Sequence, residues 1–181
     1  MSSPAYALFE TPIGDCAIVW AGHGVIGVYL PEADAPATRA RLLRRHRDAV
    51  DTAPPPDVQA AVDAIVALLH GARDDDLQSI ALDLGRIPEF NRRVYAIARA
   101  IPPGQTRTYG EIAAELGDVG LARAVGQALG ANPFPIVVPC HRVMAAGGRA
   151  GGFSAPGGLA TKLKLLEIER APLGGAPGLF D

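Results

Sequence analysis

The run "DTAPPPD", residues 51–57, sets the first limit on what this chain can fold into. Pro54, Pro55 and Pro56 lack amide hydrogens and fix φ at about −65°, so no helix interior runs through them. Elements must end before this point and begin again after it. Upstream, apolar and β-branched residues cluster at Tyr6–Phe9, Cys16–Trp20 and Val25–Leu30, with the turn formers "PIGD" and "AGHG" between them. The pattern predicts an antiparallel meander. A helix is expected over Pro36–Arg47, carrying Arg39, Arg41, Arg44, Arg45 and Arg47 beside Leu42 and Leu43, and this basic stripe reads as a solvated face. Downstream, Asp57 is expected to cap a helix whose apolar positions Val58, Ala61, Val62, Ile65 and Leu68 share one face. Leu77–Leu84 reads as a further strand.

Beyond a boundary placed near Gly85–Pro88 the chain reads as helices and loops. Phe90, Val94, Ile97 and Ala98 lie on one helical face, and Pro102–Gly104 end that helix. Thr108 is expected to cap a short helix with Ile112, Ala113 and Leu116 inward, stopped at Gly117. A second helix follows from Gly120 to Leu129, with Leu121, Ala124, Val125 and Leu129 inward. Two short helices joined at a glycine suggest a helix-turn-helix. The predicted class is α+β. A small antiparallel-sheet domain with helices spans 1–85. A mostly helical, winged-helix-like domain spans 86–170. A Gly/Pro-rich, flexible tail closes the chain over 171–181.

Charge separates the same two halves. Net charge is −2 over 181 residues. Met1–Gly85 holds 6 basic and 12 acidic residues, a net of −6, and Arg86–Arg170 holds 11 and 6, a net of +5. The second half therefore suits an anionic polymer and the first does not. No run approaches the roughly 18 apolar residues of a membrane span, and the N-terminus shows no signal-peptide pattern. The expectation is a cytoplasmic protein with reduced thiols at Cys16 and Cys140 and no membrane partner. Cys16 reads as a packed strand residue.

The stretch "NPFPIVVPCHRVMAAGGRAGGFSAPGG", Asn132–Gly158, concentrates chemistry. Cys140 follows an apolar run and is flanked by Pro139 and His141, with Asn132 upstream and a glycine-rich loop behind. A free thiol titrates at about 8.5, so it needs a base or a nearby cation to react at neutral pH. His141 is the nearest base. Neighbouring side chains on an extended strand point apart, so contact requires a turn or a bridging water. A carboxylate, Glu167 or Glu169, is a candidate to fix the imidazole tautomer. The scattered histidines and cysteines show no zinc-ligand spacing, so no metal is expected.

Several segments taken in order, "IPPGQTRTYGEIAAELG", "ARAVGQALGANP", "NPFPIVVPCHRV" and "GGLATKLKLLEIE", resemble the O6-alkylguanine-DNA alkyltransferases, also called methylated-DNA–protein-cysteine methyltransferases. The resemblance covers roughly Phe90 to Glu169. It implies that Cys140 accepts an alkyl group from O6-alkylguanine in double-stranded DNA, irreversibly and once, with no cofactor, in a monomer. It implies that His141 serves as base through a water and that Glu169, in register with Leu165–Leu166, orients it. Asn132 would hold the site and Tyr109 would protonate the departing guanine. Arg123 would enter the stack in place of the flipped base, with Ala122, Gly126 and Thr108 at the DNA. Phe153, Ser154 and Arg142 would line the base pocket. "GFSAPGG" departs from the family pattern, being about two residues longer and lacking a tyrosine hydroxyl at Phe153. Two other readings are a non-catalytic module that binds alkylguanine and a cysteine-dependent hydrolase. Cys140 itself argues against the first.

Overall fold

The computed structural model describes residues 3–73 and 77–172. The chain is α+β and divides into two compact units, Met1–Ile87 with Pro133–Val137, and Pro88–Asn132 with Val138–Asp181.

In the first unit, β1 (Ala5–Thr11), β2 (Gly14–Ala21) and β3 (Gly24–Tyr29) form the expected meander. The sheet has the order β3-β2-β1-β4. Its last strand, β4 (Val50–Asp51), pairs parallel with β1 through two residues only, too few to leave a periodic signal. Central β2 is buried on both faces, since Cys16, Ile18 and Trp20 alternate with Ala17 and Val19 and all are enclosed. Tyr6, Ala17 and Val19 pack with Leu42 of α1 (Ala35–Arg45), a helix capped by the Asp34 carboxylate accepting from the Ala37 amide at 2.9 Å.

Two expectations in this unit fail. Helix α2 (Pro56–Leu69) starts ahead of Asp57, which lies inside the first turn and caps nothing. Pro56 opens the helix instead, its fixed φ suited to a position where no amide hydrogen is needed. Its inward stripe of Val58, Ala61, Val62, Ile65 and Leu68 is buried as predicted. Leu77–Leu84 is not a strand: a turn from the Leu77 carbonyl to the Ile80 amide breaks it, leaving one bridge, Leu82 to Val25. The buried Leu77 and Ile80 satisfy packing through that turn and not through a period of two.

The second unit begins with α3 (Glu89–Arg99). Next comes β5 (Arg107–Thr108), which pairs parallel with β6 (Val143–Met144). Helices α4 (Tyr109–Glu115) and α5 (Ala122–Gly130), joined by a 3-10 turn over Val119–Leu121, form the helix-turn-helix. Thr108 caps α4 as predicted, its hydroxyl accepting from the Glu111 amide at 3.0 Å. Helix α6 (Gly158–Ile168) closes the unit. Residues 173–181 of the expected tail lie outside the described residues, but Ala171 is buried against Met144 and Leu166. No helix among the described residues is long and apolar enough to cross a membrane.

Tyr95 fixes α5 on α3: its hydroxyl donates to the Ala128 carbonyl at 2.8 Å, away from solvent. Tyr95→Phe is expected to cost about 1 kcal/mol, as for one buried hydrogen bond. An unchanged urea midpoint would show that α5 is held otherwise.

Candidate active site

The site is assembled around a change of direction at Asn132–Val138. Pro133–Val137 joins the first unit, where the Val28 amide donates to the Pro133 carbonyl at 2.9 Å. The two ends of this excursion are stapled, Asn132 Nδ2 donating to the Val138 carbonyl at 2.9 Å. Within it, buried Ile136 has φ of 75°, a left-handed conformation that costs a β-branched residue about 1–3 kcal/mol. The packing around Ile136 and the staple hold it there.

The turn that presents the thiol follows directly. Pro139, at φ −79° and ψ 66°, is the centre of an inverse γ-turn in which the Cys140 amide donates to the Val138 carbonyl at 2.8 Å. Cys140, His141 and Arg142 then form a 3-10 turn. Cys140 and His141 are thus on a turn and not on a strand. Cys140 is half-buried. Burial raises its thiol pKa, while a hydrogen bond from the Asn132 side chain, the Lys162 charge and the backbone amides of Cys140 and His141 oppose the rise. Cys16, by contrast, is fully enclosed and burial pushes its thiol up to about 12, so it stays protonated at neutral pH.

Behind the thiol is a buried charge network. His141 Nε2 meets Glu169 Oε1 at 2.7 Å. Arg142 grips the same carboxylate twice, Nε to Oε2 at 2.9 Å and Nη2 to Oε1 at 2.7 Å, and its Nη1 donates to the Ile101 carbonyl at 2.7 Å. Burial alone would raise the Glu169 pKa, but the bonds and charges of His141 and Arg142 outweigh it and pull the carboxyl down to about 2. Burial lowers the His141 pKa; Glu169 pulls the other way, and the charges of Arg142 and Lys162 lower it further. The ring is therefore neutral near pH 7. With an ionised carboxylate accepting from Nε2, the proton sits on Nε2 and Nδ1 keeps its lone pair. Nδ1 is buried and has no hydrogen-bond partner among the described residues. Glu169, at the end of α6, is thus the carboxylate that meets the imidazole; Glu167 lies on an exposed ion pair with Lys164.

The pairing of β5 with β6 brings Tyr109 to this turn, because Thr108 lies opposite Met144. Burial raises the Tyr109 phenol pKa, and the Cys140 charge adds to it. Lys162, which no motif in the sequence singled out, is fully buried; its Nζ donates to the Val143 carbonyl at 2.7 Å and stands 5.9 Å from the Tyr109 ring centre. Burial lowers its ammonium to about 8, with Cys140 pulling the other way. Lys162, Leu165, Leu166 and Glu169 share one face of α6, so two charges on an otherwise apolar stripe were the signal available.

The other predicted residues separate. Arg142, expected to line the base pocket, is turned inward to Glu169 and Ile101. Gly126 faces the Tyr109 ring, which a Cβ would meet at 4.0 Å. The Thr108 hydroxyl is occupied as a cap. Ala122 opens α5 and Arg123 stands exposed on its first turn. Phe153 is half-buried, while Ser154 is exposed and donates to the Gly130 carbonyl. No group of three His, Cys, Asp or Glu residues among the described residues is placed to hold a metal ion.

A family model described as the DNA-binding domain of 6-O-methylguanine DNA methyltransferase matches residues 89–171. A methylated-DNA–protein-cysteine methyltransferase of Mycobacterium bovis is 38% identical over 179 residues, which is 97% of this chain and 98% of the relative. One of Methanothermobacter thermautotrophicus is 37% identical over 164 residues, 91% of this chain and 84% of the relative. The crystal structure of Mycobacterium tuberculosis OGT in complex with DNA is similar at a TM-score of 0.73 and 36% identity, over 93% of this chain and 95% of that one.

Glu169→Gln leaves Arg142 as a buried, half-paired cation and is expected to cost about 3–5 kcal/mol at pH 7. The folded carboxyl titrates at about 2, below the value of about 4.3 in an unfolded chain. Its contribution is therefore full above about pH 4.3 and is lost as pH falls toward the folded value. The gap between wild-type and variant urea midpoints should narrow from pH 7 to pH 3. An equal gap at both would contradict the buried ionised carboxylate.

Proposed function

The chain belongs to the methylated-DNA–protein-cysteine methyltransferase family, and on that premise we propose that it repairs duplex DNA by taking the alkyl group of O6-alkylguanine irreversibly onto Cys140. The observation that carries this reading is the 2.7 Å bond between His141 Nε2 and Glu169, which leaves an unprotonated, buried Nδ1 on the residue next to the thiol.

His141 takes the Cys140 proton through a water. The sulfur then attacks the alkyl carbon as the bond from carbon to O6 breaks, and the electron pair goes to guanine. Tyr109 protonates the departing base, and solvent returns the proton held on His141 to the phenolate. Lys162 supports the thiolate by its charge, and Asn132 supports it by a hydrogen bond. The thioether product has no leaving group that water displaces readily, so each molecule acts once. The reaction draws its alkyl group from the lesion and needs no cofactor. The lesion is stacked inside the duplex, and extruding it costs about a few kcal/mol. Arg123, on the exposed first turn of α5, offsets lost stacking by entering the vacated space. Ala122 beside it leaves room for a close approach, and the net +5 of the second half supplies attraction to phosphates. The protein acts as a monomer in the cytoplasm. A purely binding module would need no acceptor thiol, and a hydrolase would release its product.

Incubation of wild-type protein with duplex O6-methylguanine DNA should add one CH2 unit to Cys140, mole for mole with repair, as read by peptide mass mapping. Cys140→Ser should transfer nothing while still binding the lesion, because a hydroxyl is a poor nucleophile toward saturated carbon. Methyl transfer by the serine variant would remove Cys140 from this role. Arg123→Ala should slow duplex repair by about 10-fold or more even at saturating protein, the cost of one lost stacking-type interaction. Recovery of the wild-type rate at saturation would make Arg123 a phosphate contact only.

A further inference from the structure

The segment Gly151–Gly158 is fastened by three side chains. Ser154 Oγ donates to the carbonyl of Gly130, the last residue of α5, at 2.9 Å. Thr161 Oγ1 donates to the Pro156 carbonyl at 2.6 Å, and Lys162 Nζ reaches the Gly152 carbonyl at 3.5 Å. Closure of the second fastening requires glycine at 157, where φ is +82° and a Cβ would lie 2.1 Å from Thr161 Oγ1. At its other end the segment touches the site: a Cβ on Gly151 would lie 3.3 Å from the Tyr109 phenol oxygen.

Two of the three anchors are on α6, the helix that also carries Glu169 at its end. Ser154 alone reaches α5, the helix that carries Arg123. The carbonyls of a last helical turn lack intrahelical donors, and the Ser154 hydroxyl supplies one to Gly130. That commitment takes the hydroxyl away from a base in the pocket. We propose that Ser154 is a positioning residue that latches this segment to the C-terminal end of α5, so that a duplex docked on α5 sets the wall beside Tyr109. The proposal rests on the reading of α5 as the DNA-contacting helix of a Cys140 alkyltransferase.

The test uses the full chain and undamaged duplex DNA, which offers no alkylated base. Hydrogen exchange of a peptide covering 151–158 is measured with and without duplex, for wild type, Ser154→Ala and Ser154→Thr. Single-turnover transfer from O6-methylguanine duplex is measured against protein concentration for all three. Duplex should slow exchange of the segment in wild type and in Ser154→Thr, and not in Ser154→Ala. The saturated transfer rate of Ser154→Ala should fall about fivefold, as expected for one lost hydrogen bond, with half-saturation unchanged within about twofold. A wild-type segment that ignores duplex overturns the latch. So does a Ser154→Ala segment that still responds to it, whatever its transfer rate, since a defect in transfer alone marks a direct contact with the base. Methylation of Cys140 in the wild-type samples reports separately on the acceptor, so its failure would strike the underlying reading and not the latch.

Discussion

The second unit depends on one buried carboxylate. Glu169 is 3% exposed, and an ion so placed is tolerable only if every lone pair finds a donor. Arg142 supplies two hydrogen bonds and His141 a third. Arg142 Nη1 donates to the Ile101 carbonyl, two residues past α3. The end of α3, the turn bearing the thiol and the end of α6 are therefore joined at one charge. The same arrangement decides the chemistry: a carboxylate kept ionised by Arg142 holds the Nε2 proton and leaves Nδ1 as the basic atom.

The thiol is positioned from the other side by backbone geometry. The Val138 carbonyl accepts from both the Asn132 side chain and the Cys140 amide. Asn132 thus closes the excursion of Pro133–Val137 and hydrogen-bonds the sulfur as well. Three prolines in seven residues, Pro133, Pro135 and Pro139, restrict the chain to this path. Lys162 completes the surroundings with a positive charge. Its cost of burial is offset by the bond to the Val143 carbonyl and by the thiol, whose ionised form it favours.

Much of this was legible in the sequence where local patterns act alone. The meander follows from β-branched runs separated by turn formers. The cap at Thr108 follows from a hydroxyl placed before a short amphipathic helix. The class of the whole chain follows from helices after strands. What was not legible depended on distant partners. The two pairs of β4 are made by β1 and not by their own residues. Leu77 and Ile80 look like strand residues because they are apolar, yet a turn buries them equally well. Asp57 looks like a cap, and only the proline ahead of it moves the helix start. Arg142 is the clearest case. Beside a candidate acceptor cysteine an arginine suggests a contact with substrate, and its inward rotamer is set by Glu169, 27 residues away.

The protonation of His141 decides whether this arrangement works as described. In full-length protein labelled with 15N at histidine, the two ring nitrogen shifts of His141 at neutral pH report the state directly. The account predicts a neutral imidazole with its proton on Nε2 and an unprotonated Nδ1. An imidazolium, or a neutral ring with the proton on Nδ1, would leave Cys140 without its base and contradict the account.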